Sequence, residues 1–215
     1  MHSPKPNTSG FTLVEIMVTT FISSIVLAMV AGITLESSVT MFKTQHKLGI
    51  NSDIRELTQK LFLEARASNT FYVYNSISKS DREDVSDRKD DGESGDMIAL
   101  FQLEPHPTIL DPEHATGIII YHWETVDGGE SPIMRIEHTF SSPMDFSESS
   151  PEALLDVAVN QGSSETLVAH AQGLVNGHLF HNSRGKTVIV NGQIIHGNSA
   201  KEVTDTYGFA ISPRG

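Results

Sequence analysis

One carboxylate is set apart by its surroundings. Glu15 is the only charged residue between Phe11 and Leu35, in a run otherwise made of aliphatic, aromatic, hydroxyl and glycine residues. A carboxylate inside an apolar helix costs about 2.5–3.5 kcal/mol on insertion scales, so such residues are usually functional and have a partner. Pairing with a cation would offset much of that cost. The competing reading is that Glu15, one turn into the helix, only reaches the headgroup region.

Other chemistry-bearing groups are less specific. Asp87, Asp90, Asp91, Glu93 and Asp96 crowd one polar stretch and could supply oxygens to calcium, with Asp87, Asp90 and Asp91 the weak candidates. Their spacing fails the EF-hand rule. Counting from Asp87, Lys89 falls at the third ligand position and Ile98 at the twelfth. His178 and His181 have an H-x-x-H spacing, but on a strand residues i and i+3 point to opposite faces. Zinc wants three or four convergent ligands, so no metal site is expected. No G-x-S-x-G, H-E-x-x-H, P-loop or dinucleotide-binding glycine pattern is present, so neither an enzyme nor a cofactor is expected.

Glu15 must be positioned by a helix. Ile16 to Leu35 is 20 residues without a formal charge. At 1.5 Å per residue it spans about 30 Å, the thickness of a bilayer's hydrocarbon core. It is apolar all round, whereas a surface helix of a soluble domain keeps a polar stripe. A secretory signal fits poorly, because the run exceeds a 7–15-residue apolar region and no small-x-small site follows.

The residues before the helix complete a pattern. A short polar leader, Met1 to Gly10, ends in glycine and is followed by Phe11-Thr12-Leu13-Val14-Glu15. This resembles the processing signal of type IV pilins and type II secretion pseudopilins. The resemblance implies cleavage after Gly10 by a prepilin peptidase on the cytoplasmic side and N-methylation of Phe11. It further implies packing of the helix at the centre of a filament, with Glu15 paired to the amine of a neighbouring subunit. Helix 11–35 would span the inner membrane once, with the rest in the periplasm, before entering a periplasmic pseudopilus or a cell-surface pilus. Partners would be other pilin-like subunits, the peptidase and the membrane. The later part of the chain is similar to the larger minor pseudopilins of the J or W type in length and strand-rich body. A filament-initiating or tip role would follow. The rival is an uncleaved single-span envelope protein whose β-rich domain binds a ligand or partner.

Composition agrees with a protein that leaves nucleic acid alone. The net charge is −12, from 15 basic and 27 acidic residues, and nucleic-acid binding needs a basic surface. There is no cysteine, hence no disulfide framework.

Beyond the leader (1–10) and the apolar helix (11–35), residues 36–68 read as an amphipathic continuation. Ile50, Ile54, Leu57 and Leu61 form one stripe. Gly49 is read as a bend, and Gly32 as a helix-packing position. Residues 69–215 read as a β-rich domain. Strands are expected over Phe71–Ile77, Met97–Leu103, Gly117–Val126 and Pro132–Phe140. The last two form a hairpin around Asp127-Gly128-Gly129. Pro143–Pro151 reads as loop and Pro151–Val159 as a short helix. Thr166–Ala171, Leu174–Phe180, Thr187–Val190 and Tyr207–Ile211 read as strands, with turns at Ser183–Lys186 and Asn191-Gly192. Lys79 to Asp96, with eight acids and four bases and no apolar periodicity, is expected to be a solvated loop. One long helix followed by antiparallel strands is α+β, pilin-like in order.

Overall fold

The computed structural model describes residues 11–105, 113–124, 131–145, 149–198 and 201–214. In chain order the elements are α1 (Leu13–Ala67), β1 (Thr70–Tyr74), β2 (Ser94–Gly95), β3 (Met97–Pro105), β4 (Glu113–Trp123) and β5 (Ile133–Asp145). There follow α2 (Pro151–Gln161), β6 (Ser163–Val168), β7 (Ala171–Gly173), β8 (Phe180–Ser183), β9 (Thr187–Asn198) and β10 (Lys201–Ile211). The chain divides into two compact units, Met1–Gln45 and His46–Gly215. As expected, the fold is α+β, a long apolar-to-amphipathic helix with antiparallel sheets.

In the first unit, α1 exposes every side chain from Phe11 to Met41. Gly32 has open space where a Cβ would stand, so within one chain nothing packs on it.

The second unit is built on two antiparallel sheets. The first runs β1-β3-β4-β5-β6; the second runs β10-β9-β8-β2, with β7 also pairing β9. Strand alternation gives the first sheet two buried faces. One carries Met97, Ala99, Phe101, Ile118, Ile120 and Ile136, and packs on Leu154, Leu155 and Ala158 of α2. The other carries Tyr121 and Arg135, which reach Glu64 of α1. The helical stripe lies on this second face: Ile50, Leu57, Leu61 and Ala65 are buried and Ile54 is half-buried. Burying an Ile or Leu side chain fully contributes about 1.5–3 kcal/mol. The first sheet is therefore covered by α1 on one side and α2 on the other.

Several expectations need correction. Lys79–Asp96 is exposed over much of its length, as expected, but it is pinned in place and carries short helical turns. Three of its cations pair with acids of α2: Lys79 with Asp156 at 3.1 Å, Arg82 also with Asp156, and Arg88 with Glu152 at 2.7 Å. Its backbone bonds β8, with Gly92 N–H donating to Asn182 O and Asn182 N–H to Glu93 O. The segment is a strap, tied down by charge where apolar periodicity is absent. Gly49, read as a bend, lies within the unbroken helix α1. It makes room for the His196 imidazole, whose Cε1 would lie 2.9 Å from a Cβ there, while His196 Nε2 bonds Asp53 at 2.7 Å.

The two Asn-Gly pairs exchange meanings. Leu174–Phe180 is not a strand, because Val175 and His178 exchange both backbone bonds around Asn176 (φ 55°) and Gly177 (φ 85°). That is the φ > 0 hairpin turn which Asn-Gly favours. Asn191-Gly192, expected as a turn, lies inside β9 instead, where Gly192 pairs with Tyr207. A Cβ at Gly192 would stand 2.7 Å from the Tyr207 hydroxyl, so the tyrosine covers the glycine. The first strand ends at Tyr74, short of Ile77, and β5 runs on to Asp145 through the start of the expected loop. The β4–β5 hairpin forms as expected, while its Asp127-Gly128-Gly129 turn lies outside the described residues.

Candidate functional site at the start of the apolar helix

The site is the first turn of α1, and sequence chemistry builds it locally. Thr12 precedes the first helical residue, Leu13, and so occupies the N-cap. Its backbone N–H donates to Glu15 Oε2 at 2.9 Å and its hydroxyl donates to the same oxygen at 2.8 Å. Glu15 N–H in turn donates to Thr12 Oγ1 at 3.3 Å. This reciprocal pattern is a capping box, which satisfies two of the orphan donors at a helix N-terminus. The carboxylate also lies at the positive end of the helix dipole. Sequence reasoning misses Thr12, although T-x-x-E ahead of an apolar run is the legible signal.

Both bonds fall on one carboxylate oxygen. Among the described residues nothing donates to Oε1. The cap therefore orients Glu15 beside the chain start and leaves an acceptor for a further donor. Phe11, the residue before the cap, is 84% exposed. Gly10 lies outside the described residues.

Beyond Glu15 the helix suits an apolar surrounding. Leu13, Phe21 and Leu27 are all at least two-thirds exposed. Its hydroxyls consume their own hydrogen-bonding capacity: Thr19 donates to Glu15 O at 2.6 Å, Ser24 to Thr20 O at 2.7 Å and Thr34 to Val30 O at 2.8 Å. Satisfaction within the segment is what a medium without water demands. It is the one helix among the described residues long and apolar enough to cross a membrane.

The remaining candidates are dispersed into structure. Asp87 accepts from the backbone N–H groups of Glu83 and Asp84, and Asp91 from that of Arg184. Asp90 donates its own backbone N–H to Glu93 at 2.9 Å. His178 Nδ1 bonds Asp96 at 2.9 Å, whereas His181 Nδ1 bonds Ser94 Oγ at 3.0 Å, so the H-x-x-H pair does not converge. Among the described residues no three His, Asp or Glu side chains meet in metal-holding geometry.

Residues 5–31 match the family described as Prokaryotic N-terminal methylation motif. No curated protein and no solved structure matches the chain. The methylation motif covers Gly10, Phe11 and Glu15 together with the apolar turns that follow. It supports a type IV pilin-like protein, structural rather than catalytic in kind. In general terms it implies peptidase processing and association with pilin subunits. With a single apolar helix, it is compatible with anchoring in an inner membrane.

Proposed function

We propose that this chain is a minor pilin-like subunit of a type II secretion pseudopilus or type IV pilus, of the larger J or W type, acting in filament initiation or at the tip. The observation that carries this reading is the methylation motif at residues 5–31 running into a helix whose described residues are exposed from Phe11 to Met41. Such a helix needs lipid first and other helices afterwards. A prepilin peptidase cuts between Gly10 and Phe11, and the new amine of Phe11 is methylated. The chain is anchored once in the inner membrane with residues 69–215 in the periplasm. In the filament, Glu15 meets the ammonium of a neighbour. Each charge is costly to bury alone in a bundle of apolar helices, and the pair sets register as buried polar groups do in coiled coils.

Intact-mass analysis of membrane-extracted protein tests this. The expected species starts at Phe11, lacks the ten residues before it and carries one N-methyl group. Gly10→Val should leave the precursor uncut, because a β-branched side chain then stands at the scissile bond. A chain still beginning at Met1 in cells that contain the peptidase would return the uncleaved anchor as the correct reading.

A further inference from the structure

Val-Asn-Gly occurs twice, at Val175-Asn176-Gly177 and Val190-Asn191-Gly192. An asparagine before glycine can turn its side-chain amide onto the next backbone nitrogen and close a five-membered ring, because glycine has no Cβ to hinder the approach. The two stretches are alike as sequence, so any difference between them has to come from the fold.

The fold separates them. Asn176 and Gly177 are the tip of the turn between β7 and β8, and both are exposed. Two backbone bonds close that tip: Val175 N–H to His178 O at 3.0 Å and His178 N–H to Val175 O at 2.9 Å. The Asn176 side chain makes no hydrogen bond among the described residues, and open space surrounds Gly177. Asn191 and Gly192 are held inside β9. Asn191 N–H donates to Leu179 O at 3.2 Å and its carbonyl accepts from Leu174 N–H at 3.1 Å. Gly192 lies between Gly173 of β7 and Tyr207 of β10. Ring closure there would pull Asn191 out of the extended conformation and break the ladder on both sides.

We propose that Asn176 is a site of spontaneous modification, deamidating through a cyclic imide, while the same sequence at Asn191 is protected. The deprotonated Gly177 nitrogen attacks Asn176 Cγ, the Cγ–Nδ2 bond breaks, and ammonia leaves with a proton taken from solvent. Water then adds to one of the two imide carbonyls and breaks its bond to nitrogen. One opening gives aspartate; the other gives isoaspartate, whose main chain runs through the former side chain. The net change is one amide and one water to one carboxylate and one ammonium ion.

The turn also carries a joint between the sheets. The Asp96 main chain is fixed beside the first sheet, with its N–H donating to Asn75 O at 3.0 Å and its carbonyl accepting from Trp123 N–H at 2.8 Å. Its carboxylate reaches the turn into β8, bonding His178 Nδ1 at 2.9 Å and accepting from Leu179 N–H at 3.0 Å. Isoaspartate adds a backbone carbon to a turn whose length sets the register of its bonds. His178 and Leu179 then shift off Asp96, and the joint loosens in one irreversible step.

Full-length protein in mild detergent is aged in mildly alkaline buffer, where more of the attacking amide is deprotonated. Cleavage after Arg184 and Lys186 puts the two asparagines on separate peptides for mass analysis. The Asn176 peptide should exchange –NH2 for –OH and split into two species, one labelled by an isoaspartyl methyltransferase. Asn191 should react about tenfold more slowly or less, because β9 must open first. In urea the two rates should converge. Hydrogen exchange at the Leu179 amide reads the joint. Protection should fall in the aged protein and persist in fresh Asn176→Asp, which has the charge on an ordinary backbone.

Equal rates at the two sites in the native chain would overturn the modification site. So would an intact Asn176 in native protein after the urea-unfolded chain has fully reacted. Full protection of Leu179 in the isoaspartate form would overturn the loosening. Its loss in fresh Asn176→Asp would assign the effect to charge and remove the added carbon from it.

Discussion

Glu15 has two separable tasks, holding the first turn and carrying a charge. Gln at the third helical position can also close a capping box, so Glu15→Gln removes the charge and keeps the turn. Thr12→Ala does the reverse, weakening the cap by about 0.5–2 kcal/mol while leaving the carboxylate. If the charge pairs with a neighbour's Phe11 amine, Glu15→Gln should insert and be cleaved normally yet crosslink poorly to pilin-like partners, because an ammonium would be buried unpaired at about 3–5 kcal/mol. Thr12→Ala should crosslink almost as the parent does. Equal crosslinking by parent and Glu15→Gln would leave Glu15 as a cap alone. A second residue gives a pH signature. His122 is 7% exposed, its Nδ1 has no hydrogen-bond partner among the described residues, and burial pushes its imidazole down to about 4. An unfolded histidine titrates near 6.5, so between these values the unfolded chain binds the extra proton. The stability that neutral His122 permits is complete above about pH 6.5 and is lost as pH falls toward 4. By pH 4.5 the loss is about 2–3 kcal/mol. Urea unfolding at pH 7 and 4.5 reads it, and His122→Gln should flatten the slope between them. An unchanged slope in the variant would place the acid sensitivity elsewhere.

At the scale of elements, legibility followed the kind of force at work. The α1 stripe, the β4–β5 hairpin and α2 are periodic apolar patterns with turn or cap residues at their ends, and periodicity reports burial directly. Ser150 caps α2, with Ala153 N–H donating to its hydroxyl at 3.2 Å, and Pro151 follows at the first helical position. The strap was illegible because what fixes it is non-local. Although burial alone would raise the Glu152 carboxyl, the Arg88 hydrogen bond and charge hold it below the usual range, and the Arg88 guanidinium stacks 4.0 Å from the Tyr72 ring centre. Glu152 and Tyr72 both lie outside the strap's own sequence. The Asn-Gly pairs fail for a related reason. The dipeptide marks where positive φ is cheap, but whether the chain turns there depends on what lies across the sheet. At Gly192 the answer is Tyr207, fifteen positions later (207 − 192). The methylation motif was legible because its signal over residues 5–31 is contiguous, while the dispersal of the acids and histidines was fixed by pairings across the fold.

The whole molecule joins a segment without a core to a unit that has one. Among the described residues, every buried side chain lies at Ile50 or beyond. Residues 11–41 contribute none. The apolar helix is compatible with membrane anchoring, and the sheets supply the core that sets stability. A chain beginning at Ser37 should accordingly purify without detergent and keep the native fold. The hydroxyls of its removed turns, Thr19, Thr20, Ser24 and Thr34, all donate to carbonyls within the same helix, and the side-chain bonds cut at the new start are those of Ser38 to Thr34 O and Thr40 to Glu36 O. Its retained turns keep the contacts that fix α1 to the first sheet, including Arg135 on Glu64 and Lys60 on Glu165 at 3.1 Å. The denaturation midpoint of the truncated chain should match that of the full chain in mild detergent within the change expected for a surface alteration, about 0.5 kcal/mol. Near-ultraviolet circular dichroism should show the same fixed environment for Trp123, whose indole N–H donates to Ala171 O at 2.9 Å. Loss of that signal with helical content retained would describe a molten domain. The apolar helix would then be needed for packing as well as for location.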